Sequence, residues 1–336
     1  MNSRERVEAV LNGRKPDRIP NFNILMGFAA TQFGKTYREY ASDYRVLCDC
    51  DIACSEKYGI DMVSAISDPM REAEGFGASV TMPEDNVPYS PTPFVEDLSA
   101  APKLVKTYNP YNGKRCEDRL KAIAYFRQNA GDYTVGGWVE GALAECCDLR
   151  GINDMLTDLA TEDRELIHEF LSITCEQAKI FAIEQVKAGA DIIGIGDAAS
   201  SLISARMFKE FAFPYQKAIV DAVHAVGGKT KLHICGNTTR VLDQAIATGT
   251  DILDVDWMVD LERCRDLVGE GKTILCGNYD PVSILMQGTP ETVRASVNAC
   301  CDLFKDRYIS SAGCEVPRLT PPENLLAVTE ALVARA

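Results

Sequence analysis

His233 and Cys235 stand two residues apart in the stretch "KLHICGNTTR", in a chain that has only three histidines among 336 residues. The apolar residues around them read as a β-strand, and residues i and i+2 of a strand share a face. An imidazole and a thiol side by side are ligands for zinc. Cys314 in "SSAGCEVP", just past the last predicted strand, supplies a third donor. One imidazole and two thiolates suit Zn²⁺ and leave a fourth position for water, substrate or a weak carboxylate ligand, the pattern of a catalytic site. Two acids, Asp254 and Asp256, end the next predicted strand. Asp256 is the candidate for the replaceable ligand, acting in catalysis by vacating its place. Taken singly, a strand histidine or a cysteine is an ordinary core residue. Their shared position is what marks them.

That position follows from the elements. Short apolar runs at 18–26, 61–67, 133–141, 190–197, 230–236, 250–257, 272–278 and 307–313 alternate with amphipathic stretches at helical spacing. Eight such strands predict an α/β chain, a (β/α)8 TIM barrel forming a single domain over 1–336. Function in that architecture gathers at the C-terminal ends of the strands, where His233, Cys235, Asp256 and Cys314 all fall. Residues 72–95 break the rhythm with alternation and prolines, and predict an inserted hairpin or lid after the second strand. One long helix is expected to end at Gly189. Another should start after Ser204 and be kinked or split by Pro214.

Composition narrows the function. With 46% hydrophobic and 25% charged residues the chain reads as an ordinary soluble protein, and its apolar runs are too short for a bilayer. The opening "MNSRERVEAVLNGRKPDRIP" lacks the apolar core of a signal peptide, so a cytoplasmic protein is expected. A net charge of −14 argues against a nucleic-acid partner. The 13 cysteines include no CxxC pair, and most are expected to be reduced and buried. "GIGDAAS" fits a loose dinucleotide pattern but ends the fourth predicted strand rather than the first. Its glycines are read as allowing a ligand's close approach or a tight turn, with Asp197 lining the pocket. His224 in "DAVHAVG" misses by one residue the motif with which corrinoid modules ligate cobalt. It is read as a surface or capping residue, His168 likewise, and the chain as carrying no corrinoid module of its own.

Three stretches, "VLNGRKPDRIP", "FKEFAFPYQKAIVDAVHAVGGKTKLHICGNT" and "SAGCEVPRLTPPENLLAV", resemble the uroporphyrinogen decarboxylase superfamily, in particular its zinc-dependent, corrinoid-linked methyltransferase branch. The resemblance implies His233, Cys235 and Cys314 as zinc ligands and Asp256 as an exchangeable fourth. It also implies a separate corrinoid protein as partner and methyl transfer between its cobalt and an O or S atom of a small molecule. The decarboxylases are metal-free and hold a polycarboxylate with N-terminal arginines. The matching stretch here, "NFNILMGFAATQFGKTY", has none, although Asp68 falls where their central aspartate would. Phe22, Met26 and Phe28 suit an apolar ring, which favours a methoxyarene substrate, as in an O-demethylase component. A methylcobamide:thiol transferase of coenzyme M type is the alternative, followed by a decarboxylase and a non-catalytic zinc barrel. Asn278 is added to the pocket by position alone.

Overall fold

Seven of the apolar segments pair in sequence order into one parallel sheet: β1 (Met62–Ser64), β2 (Thr134–Glu140), β3 (Ile192–Gly196), β4 (Lys229–Ile234), β5 (Ile252–Val255), β6 (Ile274–Cys276) and β7 (Tyr308–Ile309). The computed structural model describes residues 1–269 and 271–336. Helices between the strands cover the sheet, so β2 is buried along its whole length although it carries no alternating pattern.

The place of the expected first strand is taken by something else. Of residues 18–26 only Asn21 bridges a strand residue's neighbour, Ser310, in parallel. Pro20 has no N–H for a ladder. The segment instead makes isolated backbone bonds to both sheet edges. Phe22 N–H donates to the Ser310 carbonyl, and Ser310 N–H to that of Pro20, each at 2.8 Å. Asp61 N–H donates to the Asn21 carbonyl at the same distance. Amide side chains continue the stitching: Asn23 Oδ1 accepts Ala312 N–H at 2.9 Å, and Asn23 Nδ2 donates to Asn21 Oδ1 at 2.7 Å. The result is a barrel-like sheet of seven strands whose edges are linked through an irregular segment.

The hairpin expected at 72–95 is also reduced. Met70–Phe76 is a helix, because Met70, Ala73 and Phe76 recur on one face and bury together, and Gly77 ends it at φ +113°. Only Thr81 and Tyr89 pair beyond it, through two antiparallel hydrogen bonds. The long helix Arg164–Ala188 does end at Gly189, in the left-handed conformation. Ser204 caps the helix after it by accepting Met207 N–H. That helix passes through a π-helical turn, Phe208–Ala212, before resuming at Phe213–Ala225 with Pro214 in its first turn.

Two apolar layers set which end of the sheet can work. Val7 and Val10 of the first helix pack with Phe22, Met62, Ile192, Ile252, Ile274 and Ile309, residues at or near the strands' N-terminal ends. That end of the interior is plugged. A larger cluster fills the space between sheet and helices. Among the described residues no helix is long and apolar enough to cross a membrane.

Candidate metal centre and its cavity

At the opposite end, β4 ends in His233 and Ile234, Cys235 follows directly, and Gly236 turns the chain at φ +87°. His233 Nε2 lies 3.2 Å from Cys235 Sγ, and Cys235 Sγ lies 3.9 Å from Cys314 Sγ. One ligand atom from each of the three falls within 4.8 Å of the others. Cys314 gets there because Gly313 lies flat against the backbone of Asp256 and Trp257, where a Cβ would overlap it. All the other cysteines are buried; only Cys235 and Cys314 are half-exposed.

Strand register aligns the rest. His233 pairs with Asp254 across β4 and β5, and its Nδ1 lies 3.2 Å from Asp254 Oδ2. Nδ1 thus lies on the side of a carboxylate and Nε2 on the side of the sulfurs, the orientation a ligating histidine takes when an acid stands behind it. Lys231 Nζ donates to the same Asp254 oxygen at 2.5 Å. Burial works against the Asp254 charge, but Lys231 and His233 outweigh it and hold the carboxyl below the usual range. The Cys235 thiol, donating to Cys314, pulls Cys314 down to about 4 against its burial, and His233 adds to the effect. Cys235 is pushed up in turn, first by that same bond. One sulfur of the pair is thereby favoured as thiolate, the form in which cysteine binds a divalent cation. These residues fit zinc.

The three donors line a cavity of about 190 Å³, whose other walls are Ile24, Met26, Ile66, Trp138 and four acids. Asp68 is one of the acids, held by Arg115 Nη1 at 2.7 Å. Asp197 is another: Oδ1 accepts Ala144 N–H at 3.0 Å and Oδ2 accepts Gln216 Nε2 at 2.6 Å. Burial raises its pKa. Glu140 is pushed up to about 8, by burial and then by Glu72, against the pull of Arg71. Glu315 is pushed up to about 7 by burial and Cys314. Met26 holds φ +33°, unusual for a residue with a side chain, as its segment turns from the sheet edge into the helix Met26–Gln32.

The other residues named from sequence lie elsewhere. Phe22 belongs to the apolar plug at the far end, and Phe28 packs edge-on against Tyr58 at 5.4 Å between centroids. Asn278 is buried behind the site, where its Nδ2 donates to the carbonyls of Asp256 and Val259 and braces that loop. Asp256 lies outside the three-donor set; its Oδ1 accepts Met258 N–H at 2.9 Å. The glycines of "GIGD" make room for a side chain: a Cβ at Gly194 or Gly196 would run into the Trp138 indole. Trp138, Glu140, Lys231 and Glu315 are additions that sequence reasoning missed, as is the role of Asp254. Strand pairing could have exposed two of them, since Glu140 pairs with Gly196 and Gly196 with His233, which in turn pairs with Asp254. His224 binds Asp251 at 2.7 Å at a helix end, and His168 Nδ1 meets the Tyr215 hydroxyl at 2.7 Å, both far from this chemistry.

The profile of the family described as uroporphyrinogen decarboxylase (URO-D) matches residues 2–334. A methylcobamide:CoM methyltransferase of Methanosarcina mazei is 29% identical over 337 residues, which cover 97% of this chain and 96% of that protein. A uroporphyrinogen decarboxylase of Alcanivorax borkumensis is 26% identical over 357 residues, 98% of this chain and 96% of that one. A solved methyltransferase structure from Methanosarcina mazei shares the fold, with a TM-score of 0.90 over 100% of this chain and 99% of the other at 23% identity.

Proposed function

Because this chain belongs to the uroporphyrinogen decarboxylase family, we propose that it is one of the family's methyltransferases, moving a methyl group between the cobalt of a separate corrinoid protein and the sulfur of a small thiol. The observation that carries the reading is the convergence of His233, Cys235 and Cys314 on the cavity wall. A decarboxylase has no use for that donor set. Zinc bound there supplies a Lewis acid that lowers a thiol's pKa, so that a sulfur nucleophile exists at neutral pH. In the transfer the sulfur–methyl bond forms as the methyl–cobalt bond breaks, the electron pair stays on cobalt, and the thiol's proton is released.

The chain's own residues orient and shield this chemistry. Asp254 holds His233 with Nε2 toward the sulfurs, and Ile24, Met26, Ile66 and Trp138 keep bulk water from the sulfur's approach. Asp256 enters only as an exchangeable fourth ligand, with Oδ1 engaged by the Met258 N–H. The methoxyarene reading favoured from the sequence rested on Phe22, Met26 and Phe28, of which only Met26 lines the cavity, so the thiol reading is the better supported.

The corrinoid partner would dock on the rim of this mouth. Leu202, Trp257, Met258, Val282 and Leu319 are exposed, and each lies between the C-terminal end of a strand and the next long helix. Met258 and Ser201 flank Gly236, directly after Cys235.

Metal analysis with spectroscopy tests the function. The purified chain is expected to hold about one zinc and to demethylate methylcobalamin when a thiol is added. Cys235→Ser and Cys314→Ser should each lose both the metal and the spectral change. Zinc-free protein of full activity, or a corrinoid spectrum unmoved by every thiol, would remove the proposal.

A further inference from the structure

Of the 13 cysteines, eleven are buried, the neighbours Cys146 and Cys147 and the neighbours Cys300 and Cys301 among them, and only Cys235 and Cys314 are half-exposed. The same two bring their sulfurs together, 79 positions apart in the chain and 3.9 Å apart in space. Both side chains leave from positions outside the strands. Cys235 follows β4 and precedes Gly236, and Cys314 follows Gly313 beyond β7. Both line the cavity assigned above to a small thiol. Their separation of 3.9 Å is about 2 Å longer than a disulfide bond, a closure that two side chains on loop positions divide between them.

We propose that Cys235 and Cys314 form a redox-modification site: the disulfide of a small thiol oxidises the zinc-free pair to a Cys235–Cys314 disulfide, which keeps zinc out until a thiol reduces it. The proposal rests on the reading of the three donors as a zinc site and of the cavity as a place for small thiols, and adds a covalent state of that site. One cysteine, as thiolate, attacks a sulfur of the small disulfide and displaces one small thiolate, leaving a mixed disulfide. The second cysteine then attacks the protein sulfur of that bond, the Cys235–Cys314 bond forms, and the second small thiolate leaves. The two protein thiols lose two electrons, the small disulfide gains them, and the two protons go to the two small thiols released. The contact makes the second step intramolecular, so the mixed disulfide does not accumulate. Burial shields the other cysteines from the same reagent. A sulfur bound to zinc shares the lone pair with which it would attack, so the metal-loaded pair is protected. Once the bond has formed neither sulfur is a thiolate, and His233 alone of the three donors is left for the metal.

Disulfide mapping tests this. The full chain, zinc-loaded or stripped of zinc by a chelator, is treated with 2-hydroxyethyl disulfide, its remaining thiols are alkylated after unfolding, and tryptic peptides are weighed. Cys235 is the only cysteine of the peptide Leu232–Arg240, and Cys314 of Tyr308–Arg318, so a link between them has its own mass. In the zinc-free chain the linked peptides should be the main product, with the other eleven cysteines alkylated. Zinc should slow their formation by about tenfold or more. The oxidised chain should bind zinc at least about 100-fold more weakly in chelator competition, and dithiothreitol should restore the affinity. Cys314→Ser should stop at a mixed disulfide on Cys235. Mixed disulfides as the end product in the natural chain, oxidation spread over the buried cysteines, or zinc binding undiminished by the link would each overturn the proposal. A reduced chain that takes up no zinc removes the metal reading and this proposal with it, whereas a chain that binds zinc and never forms the link loses this proposal alone.

Discussion

Asp254 stands beside Nδ1 of His233, on the far side of the ring from the sulfurs. Its Oδ2 lies 3.2 Å from Nδ1 and also accepts from Lys231, and both acid and lysine are buried to 2% exposure or less. Asp254→Asn keeps the shape but removes the charge. Zinc affinity measured by chelator competition is expected to fall by about 10–100-fold, with one zinc still bound at saturation. Lys231 would then be a buried cation without its partner, costing about 3–5 kcal/mol in urea unfolding. Unchanged affinity would mean that the acid serves Lys231 alone. His233, Cys235 and Cys314 were legible in the sequence because two-residue spacing fixes a strand face and a barrel fixes which strand ends converge. Asp254 was visible only as a polar residue ending a strand, since its role depends on register with β4. Phe22 and Phe28 were misplaced for the opposite reason: they flank Met26 in sequence, but Phe22 packs into the plug with Val7 and Val10 and Phe28 against Tyr58.

The helix Tyr44–Tyr58 is tied to β1 through one buried acid. Asp51 Oδ2 accepts Ser64 N–H at 2.8 Å, and burial pushes the carboxyl up to about 7, outweighing that bond. A carboxyl with a folded pKa above its unfolded value of about 3.9 binds its proton more tightly in the folded state. Its contribution to stability therefore falls as pH rises from about 4 to about 7 and is level above that. Asp51→Asn keeps an acceptor for Ser64 and has no such slope. The variant should be more stable than the natural protein by about 2–4 kcal/mol at pH 8, a gap that closes near pH 4. Urea unfolding at the two pH values checks it; an equal gap at both would show that Asp51 is not the titrating group. At this scale seven strands were legible because β-branched runs bounded by glycine and aspartate carry their own signal. The eighth was not. "RIPNFNILM" has a strand's composition, but Pro20 removes a donor and Asn21 and Asn23 supply side-chain bonds in place of a ladder. Composition does not distinguish those two ways of holding a sheet edge.

Across the whole molecule, one end of the sheet is plugged and the other is open, and the open end carries the exposed apolar rim. This asymmetry was legible in part: strand order and direction place the ligands at one end. The rim was not, because Trp257, Met258 and Leu319 read in sequence like core residues, and only accessibility separates them, at 46%, 44% and 66% exposed. A protein of net charge −14 that receives another protein at its mouth gains little from its own negative field unless the partner is basic there, so apolar contact has to supply the affinity. Trp257 is the residue best suited to anchor it, being large, half exposed and next to the loop of Cys314. Trp257→Ala is expected to raise KM for a methylated corrinoid protein by about tenfold, equivalent to about 1.4 kcal/mol of lost contact. The rate with free methylcobalamin, which needs no docking surface, should stay within about twofold, given that Trp257 is not part of the cavity lining. Initial-rate measurements with both methyl donors decide the matter. An equal loss with both would assign Trp257 to the shape of the metal centre and leave the rim without a role in docking.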